Sequence, residues 1–233
     1  MIPLRDNINA PIKPWVNWMF ILINGYCFYL ELHLHNSVAL EKFITHWSVV
    51  PSRLWANPAH QWTTLLTATF LHGGWMHIIG NMLFLNIFGK GVEDRMGHVR
   101  YFFFYLFIGC AANAAQAYMS PASKLPLLGA SGAIAGVLGA YFFYYPYARI
   151  LTLIPFWIFS RIVEVPAFIF LGVWFLIQAL QSVGTLGMKT MQDTGGVAWL
   201  AHASGFIAGL LLGPALSLSK KTSKRTQRST WNK

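Results

Sequence analysis

The stretch Trp199-Leu-Ala-His202-Ala-Ser-Gly205-Phe-Ile-Ala-Gly209 decides the fold. It opens an apolar run from Gly196 to Leu218, close to the roughly 20 residues that a helix needs to cross a bilayer. Ala201, Gly205 and Gly209 recur four apart, on one helical face. Small residues at that spacing let helix backbones approach closely inside a membrane. Five further apolar runs lie upstream: Trp15 to Leu32, Trp75 to Phe88 and a little beyond, Val99 to Met119, Gly129 to Tyr145, and Val165 to Val183. The second and fourth are short, and both start at glycine-rich turns that can lie below the membrane surface. The expected fold class is therefore all-α: a polytopic membrane protein with a six-helix bundle.

Composition agrees. Hydrophobic residues make up 55% of the 233 and charged residues 10%, against about 25% charged in soluble domains. A water-soluble globule and a disordered chain are both excluded. Cys27 and Cys110 sit in apolar runs, which excludes a disulfide framework and a Cys-based zinc site. The net charge of +10 is explained by where the cations fall. Six spans place 13 of the 17 Lys and Arg on the side of both termini, from Arg5 and Lys13 to the tail Lys220 to Lys233. Lys42, Arg53, Lys124 and Lys189 remain on the other. Both termini are thus expected in the cytoplasm, facing anionic lipid, with no need for nucleic acid. The expected organisation is a cytoplasmic segment 1–14, a six-helix core 15–218 and a basic cytoplasmic tail 219–233. The first span is read as retained, since no cleavage site follows it. The loop from Asn36 to His72, with Trp47, Trp55 and Trp62, suits the membrane interface.

Polar groups inside spans are costly, so each is a functional candidate. His77 and Asn81 share one face of the second span. Ser131 opens the fourth, in Gly129-Ala-Ser131-Gly132, and His202 lies early in the sixth. All three spans run inward from the outer side, so His77, Ser131 and His202 should share one depth. Each residue alone fits a packing or interhelical hydrogen-bonding role; their convergence at one level points to chemistry. A serine hydroxyl needs a base to take its proton, and His202 can serve. The Ser131 N–H, free at a helix start, can hold an oxyanion with donors from His77 and Asn81. No acid obviously orients His202; Asp193, in a Gly-rich outer loop, is a weak candidate, so a Ser-His dyad is expected. No His or Glu spacing converges on a metal, and no cofactor is expected. A transporter ranks last, because the spans are nearly free of carboxylates and lysines and show no inverted pair of broken helices.

These residues resemble the rhomboid family of intramembrane serine proteases. The matching stretches are His72-Gly-Gly-Trp-Met-His77-Ile-Ile-Gly-Asn81, Gly89-Lys-Gly-Val-Glu93-Asp-Arg-Met-Gly97, Gly129-Ala-Ser131-Gly132 and Ala201-His202-Ala-Ser-Gly205-Phe-Ile-Ala-Gly209. The resemblance implies cleavage of transmembrane protein substrates within the bilayer. Ser131 would be the nucleophile, His202 the general base, and His77 and Asn81 oxyanion donors. Glu93 would be structural, beside Arg95 at the membrane edge; Gly205 and Gly209 would be packing residues. His72 would either order the first loop or hold water near the site. The fifth span and the loop Gly184 to Gly196 would gate substrate entry. Two departures stand out: Thr63 follows Trp62 where many relatives carry arginine, and Ala135 stands where several bacterial relatives carry a tyrosine that packs on the base. The alternative is an inactive relative that binds transmembrane helices; such proteins typically lack the serine or the histidine, and both are present here. The minimal six-span form and the basic tail suit a bacterial inner membrane. The oligomeric state has no signature in the sequence.

Overall fold

The computed structural model describes residues 1–34, 36–156, 159–185 and 199–218. Asp193, Lys189, most of the loop Gly184 to Gly196 and the tail Lys220 to Lys233 lie outside the described residues. The chain begins with strand β1 (Ile2–Asp6) and helix α1 (Trp15–Leu32). Four short helices follow: α2 (Ser37–Trp47), α3 (Pro51–Ala56), α4 (Pro58–Gln61) and α5 (Thr64–Thr67), with a 3-10 turn at Ala68–Phe70. Then come α6 (Trp75–Met96), α7 (His98–Met119), α8 (Ser131–Tyr144), strands β2 (Arg149–Phe156) and β3 (Phe159–Pro166), α9 (Ala167–Thr185) and α10 (Trp199–Leu216).

Each apolar run forms a helix, but not every helix is uniformly apolar. Among the described residues, α7 is the one helix long and apolar enough to cross a membrane by length and composition alone. Helix α1 buries Asn17, Asn24 and Glu31, and α6 carries Lys90, Glu93, Asp94 and Arg95 in its last turns. Most of these groups have internal partners, as burial demands, whereas Asn24 Oδ1, Glu31 Oε2 and Arg95 Nε have no hydrogen bond among the described residues. Asn17 donates to the Leu85 carbonyl at 3.1 Å and accepts from the Tyr101 hydroxyl at 2.8 Å, tying α1 to both α6 and α7.

Helix α8 is the hub. From Gly132 to Tyr141 every residue is buried, in contact with α6, α7 and α10. Its composition is apolar all round, which suits a helix enclosed on every side. It rests on α10 through small residues. A Cβ on Gly205 would collide with the carbonyl oxygen of Gly132, one on Gly209 with that of Gly136, and one on Gly139 with that of Phe206. At α6–α7 a single residue makes the turn: Gly97 has φ of 76°, a conformation that L side chains rarely adopt.

The all-α expectation needs correcting. Three antiparallel strands form a sheet in the order β1-β2-β3. In it Ile150 pairs with both Asp6 and Val165. The segment 1–14 is therefore partly strand, and Val165 belongs to β3 rather than to the fifth helix. Ile150 and Thr152 are fully buried while their neighbour Leu151 is half-buried. That is the period-two pattern of a strand with one covered face. Its partner β1 lies some 140 residues upstream, so no local window reveals the pairing.

Candidate active site

Ser131 begins α8, and the loop before it is hung on the first loop. Val49 and Leu127 exchange backbone hydrogen bonds of 3.1 and 2.7 Å, and Gly129 N donates to the Ala68 carbonyl at 2.8 Å. Gly129 has φ of 128°. A Cβ there would lie 2.8 Å from both Cε1 and Nε2 of His77 and 3.7 Å from Ser131 Oγ. Glycine is thus needed twice over at this position, for its backbone angle and for the imidazole that presses on it. His77 and Ser131 meet at Gly129. On the other flank, the Cβ point of Gly132 lies 3.7 Å from the Ala201 carbonyl oxygen, so the residues after Ser131 and before His202 face each other.

His202 is buried, 6% exposed. Its Nδ1 lies 3.1 Å from Gln178 Oε1 on α9. The Trp174 ring, one turn earlier on α9, lies 5.9 Å from the His202 ring at an interplanar angle of 39°. Trp174 thus occupies the ring-packing role left open by Ala135, whose Cβ instead sits 3.3 Å from the Cβ point of Gly205. Gln116 on α7 accepts from Ala201 N at 3.2 Å and steadies the start of α10. Among the described residues, no hydrogen bond joins Ser131 Oγ to the His202 ring. Apo catalytic contacts are often longer than they become with substrate.

His72 and Asn81 form a second cluster. Asn81 Nδ2 lies 3.0 Å from His72 Nε2, and the His72 and His77 rings stand 5.1 Å apart, edge to face. The His72 backbone N–H donates to Glu31 Oε1 at 3.1 Å. Burial, and secondarily the neighbouring His77, hold the His72 imidazole far below its usual range, at about 3. The His72 backbone ties the end of the first loop to α1 through Glu31.

Glu93 does not pair with Arg95. Its carboxylate accepts from Val16 N at 3.0 Å and Asn17 N at 2.8 Å, and His98 Nδ1 lies 2.5 Å from Oε1. It caps the first turn of α1, where free N–H groups and the helix dipole favour an anion. The missing arginine after Trp62 is compensated within the first loop. Arg53 reaches the carbonyls of Thr45 and Ser48, and the Thr67 hydroxyl donates to the Trp47 carbonyl at 2.6 Å.

Gln178, Trp174 and Glu31 were not singled out from the sequence. Glu31 and Gln178 were findable, as an acid and an amide inside otherwise apolar runs. Trp174 had no such signal among so many aromatics.

Long helices with few charges, polar side chains gathered where α6, α8 and α10 meet, and a serine at a helix start define a helical polytopic membrane protein. The chain matches the family model described as Rhomboid domain over residues 59–219, and it belongs to the rhomboid family. It is 31% identical over 159 residues to Rhomboid-like protein 11, chloroplastic, of Arabidopsis thaliana, covering 65% of this chain and 51% of the relative. Rhomboid protein 1, mitochondrial, of Saccharomyces cerevisiae is 28% identical, covering 71% of this chain and 44% of the relative. Rhomboid protease GluP of Bacillus subtilis is 33% identical, covering 55% of this chain and 24% of the relative. The chain thus spans from a quarter to about half the length of these relatives.

Proposed function

We propose that this protein is an intramembrane serine endopeptidase that cleaves transmembrane protein substrates by a Ser131–His202 dyad. The observation that carries the reading is the close α8–α10 contact, with Gly132 against Ala201 and Gly205 against Gly132, which supports a serine and a histidine on adjoining first turns of two packed helices. The name of the Bacillus relative, a rhomboid protease, supports the same reading.

In the proposed reaction Ser131 Oγ attacks the scissile carbonyl while His202 Nε2 takes its proton. The C–N bond then breaks as His202 returns the proton to the leaving amine, and water hydrolyses the acyl-enzyme by the same steps in reverse roles. The oxyanion meets the Ser131 N–H at the start of α8. His77 supports this role: its Nδ1 accepts from Gly73 N at 3.4 Å, so Nε2 carries the proton, and Nε2 is the atom beside Gly129 and Ser131. Asn81 gives one amide proton to His72 and keeps another.

The core is read as six membrane-crossing helices, α1, α6, α7, α8, α9 and α10, with both termini cytoplasmic. At 14 residues α8 spans about 21 Å, short of a hydrocarbon core of about 30 Å. That supports a serine below the outer surface, where water enters from the loop side. Relatives named for chloroplast and mitochondrion widen the expected compartment from a bacterial inner membrane to organellar membranes.

The test is cleavage of a model transmembrane substrate by purified protein, with fluorophosphonate labelling alongside. Ser131→Ala and His202→Ala should each lower cleavage by about 10³-fold or more, and Ser131→Ala should remove labelling. Cleavage at the wild-type rate by Ser131→Ala ends the proposal and leaves the helix-binding relative as the better reading.

A further inference from the structure

We infer that Gln178 on α9 orients the general base, accepting the Nδ1–H of His202 through Oε1 so that Nε2 is presented, unprotonated, to Ser131. The inference rests on the protease reading and adds a third member to its dyad.

Three observations carry it. The contact is direct, at 3.1 Å, between the imidazole nitrogen remote from the attacking position and a side-chain carbonyl. His202 is buried, so an unmatched Nδ1 would cost the desolvation of a polar group, about 1–3 kcal/mol. Among the described residues, Gln178 is the partner the structure gives that atom. Finally, α9 holds the ring twice: Trp174, four residues before Gln178, lies over it at 5.9 Å. One contact fixes the plane of the imidazole and the other its rotation within that plane.

An amide oxygen selects this tautomer without a buried charge, and a glutamic acid at the same point, kept protonated by burial, offers the same carbonyl acceptor. His77 on α6 is the other titratable group that faces His202. Elsewhere α9 packs on the bundle through apolar side chains, Phe170 against Phe88 and Phe175 against Phe206, while Ile169, Val173 and Leu180 face outward. Gln178 therefore acts as a positioning residue, through His202 and not on the substrate.

The experiment compares two length-matched variants of the full chain in the same cleavage assay. Gln178→Met removes the acceptor and keeps the bulk; Gln178→Glu keeps the acceptor. Gln178→Met should lower kcat about ten- to a hundredfold with KM within about twofold, because it disturbs the base and not the binding of substrate. Gln178→Glu should stay within about threefold of wild type in kcat. Gln178→Met at wild-type kcat overturns the inference, and so do equal losses in both variants, which would mark a packing role. If Gln178→Met does not fold, Gln178→Leu is read in its place against the same criteria. Ser131→Ala run in parallel separates the two levels: an active Ser131→Ala removes the protease reading itself, whereas an inactive one beside an unaffected Gln178→Met removes only the role of Gln178.

Discussion

The Glu93 carboxylate accepts the backbone N–H of Asn17 at 2.8 Å, joining the cytoplasm-facing end of α6, in the proposed orientation, to the first turn of α1. A second oxygen takes Val16 N and touches His98, so both oxygens of a fully buried acid are used. Removing them strands two backbone amides and takes away the partner of His98. Glu93→Ala is expected to cost about 2–4 kcal/mol of stability, read as an earlier thermal unfolding transition in detergent. Folded protein that remains should label with fluorophosphonate at the wild-type rate, since the cap lies at the opposite end of α6 from His77.

The α8–α10 seam should be the least forgiving surface in the molecule. Gly209→Ala places a methyl against the Gly136 backbone, which has no flexible side chain to give way. The helices must then separate, at about 1–3 kcal/mol or more, and Ser131 must leave His202. Fluorophosphonate labelling is expected to fall at least tenfold in Gly209→Ala and Gly205→Ala. Gly172→Ala, whose Cβ would meet nothing within 4 Å, should label normally.

His72 should stay neutral well into acid. Its folded value of about 3 lies below the ordinary value of 6.5 that it regains on unfolding. Above that ordinary value neither state takes a proton, and the His72 contribution is intact. As pH falls from about 6.5 towards 3 the unfolded chain binds a proton that the native one refuses, so stability is lost. The His72 ring signals in NMR are expected not to shift between pH 7 and 4. His72→Gln should flatten the acid-side loss of stability.

Glu31 reaches from α1 to the His72 backbone, and His72 in turn meets Asn81. Glu31→Gln keeps an oxygen at that position and should be tolerated. Glu31→Leu removes it and should lower kcat several-fold more than it raises KM, as the residue that follows α1 in this chain of contacts loses its register. Steady-state cleavage kinetics of the two variants decide it.

The helices were legible because burial in a membrane leaves long apolar runs; the run Trp15 to Leu32 and helix α1 coincide. The close packing of α8 on α10 was legible because small residues recur four apart, at Gly132, Gly136, Gly205 and Gly209. The sheet was not, because β1 and β2 are made adjacent by tertiary structure alone. Nor was the Glu93 cap. Arg95 stands two residues away and reads as an ion-pair partner, whereas the true partners are backbone N–H donors, which have no letter in the sequence. Gln178 is hidden differently: it stands out among apolar residues, but an amide in a helix has many packing roles and its letter does not say which ring it meets.

Asp6 ends β1, pairs with Lys90 at 2.8 Å and accepts the Tyr141 hydroxyl at 2.8 Å, so the first six residues are bolted to α6 and to the hub helix α8. The opening strand is thus a rivet that holds two helices together. Material fused ahead of Met1 would emerge from the rim of a sheet, whereas clipping away residues 2–6 would unseat the base of the very helix whose far tip bears Ser131.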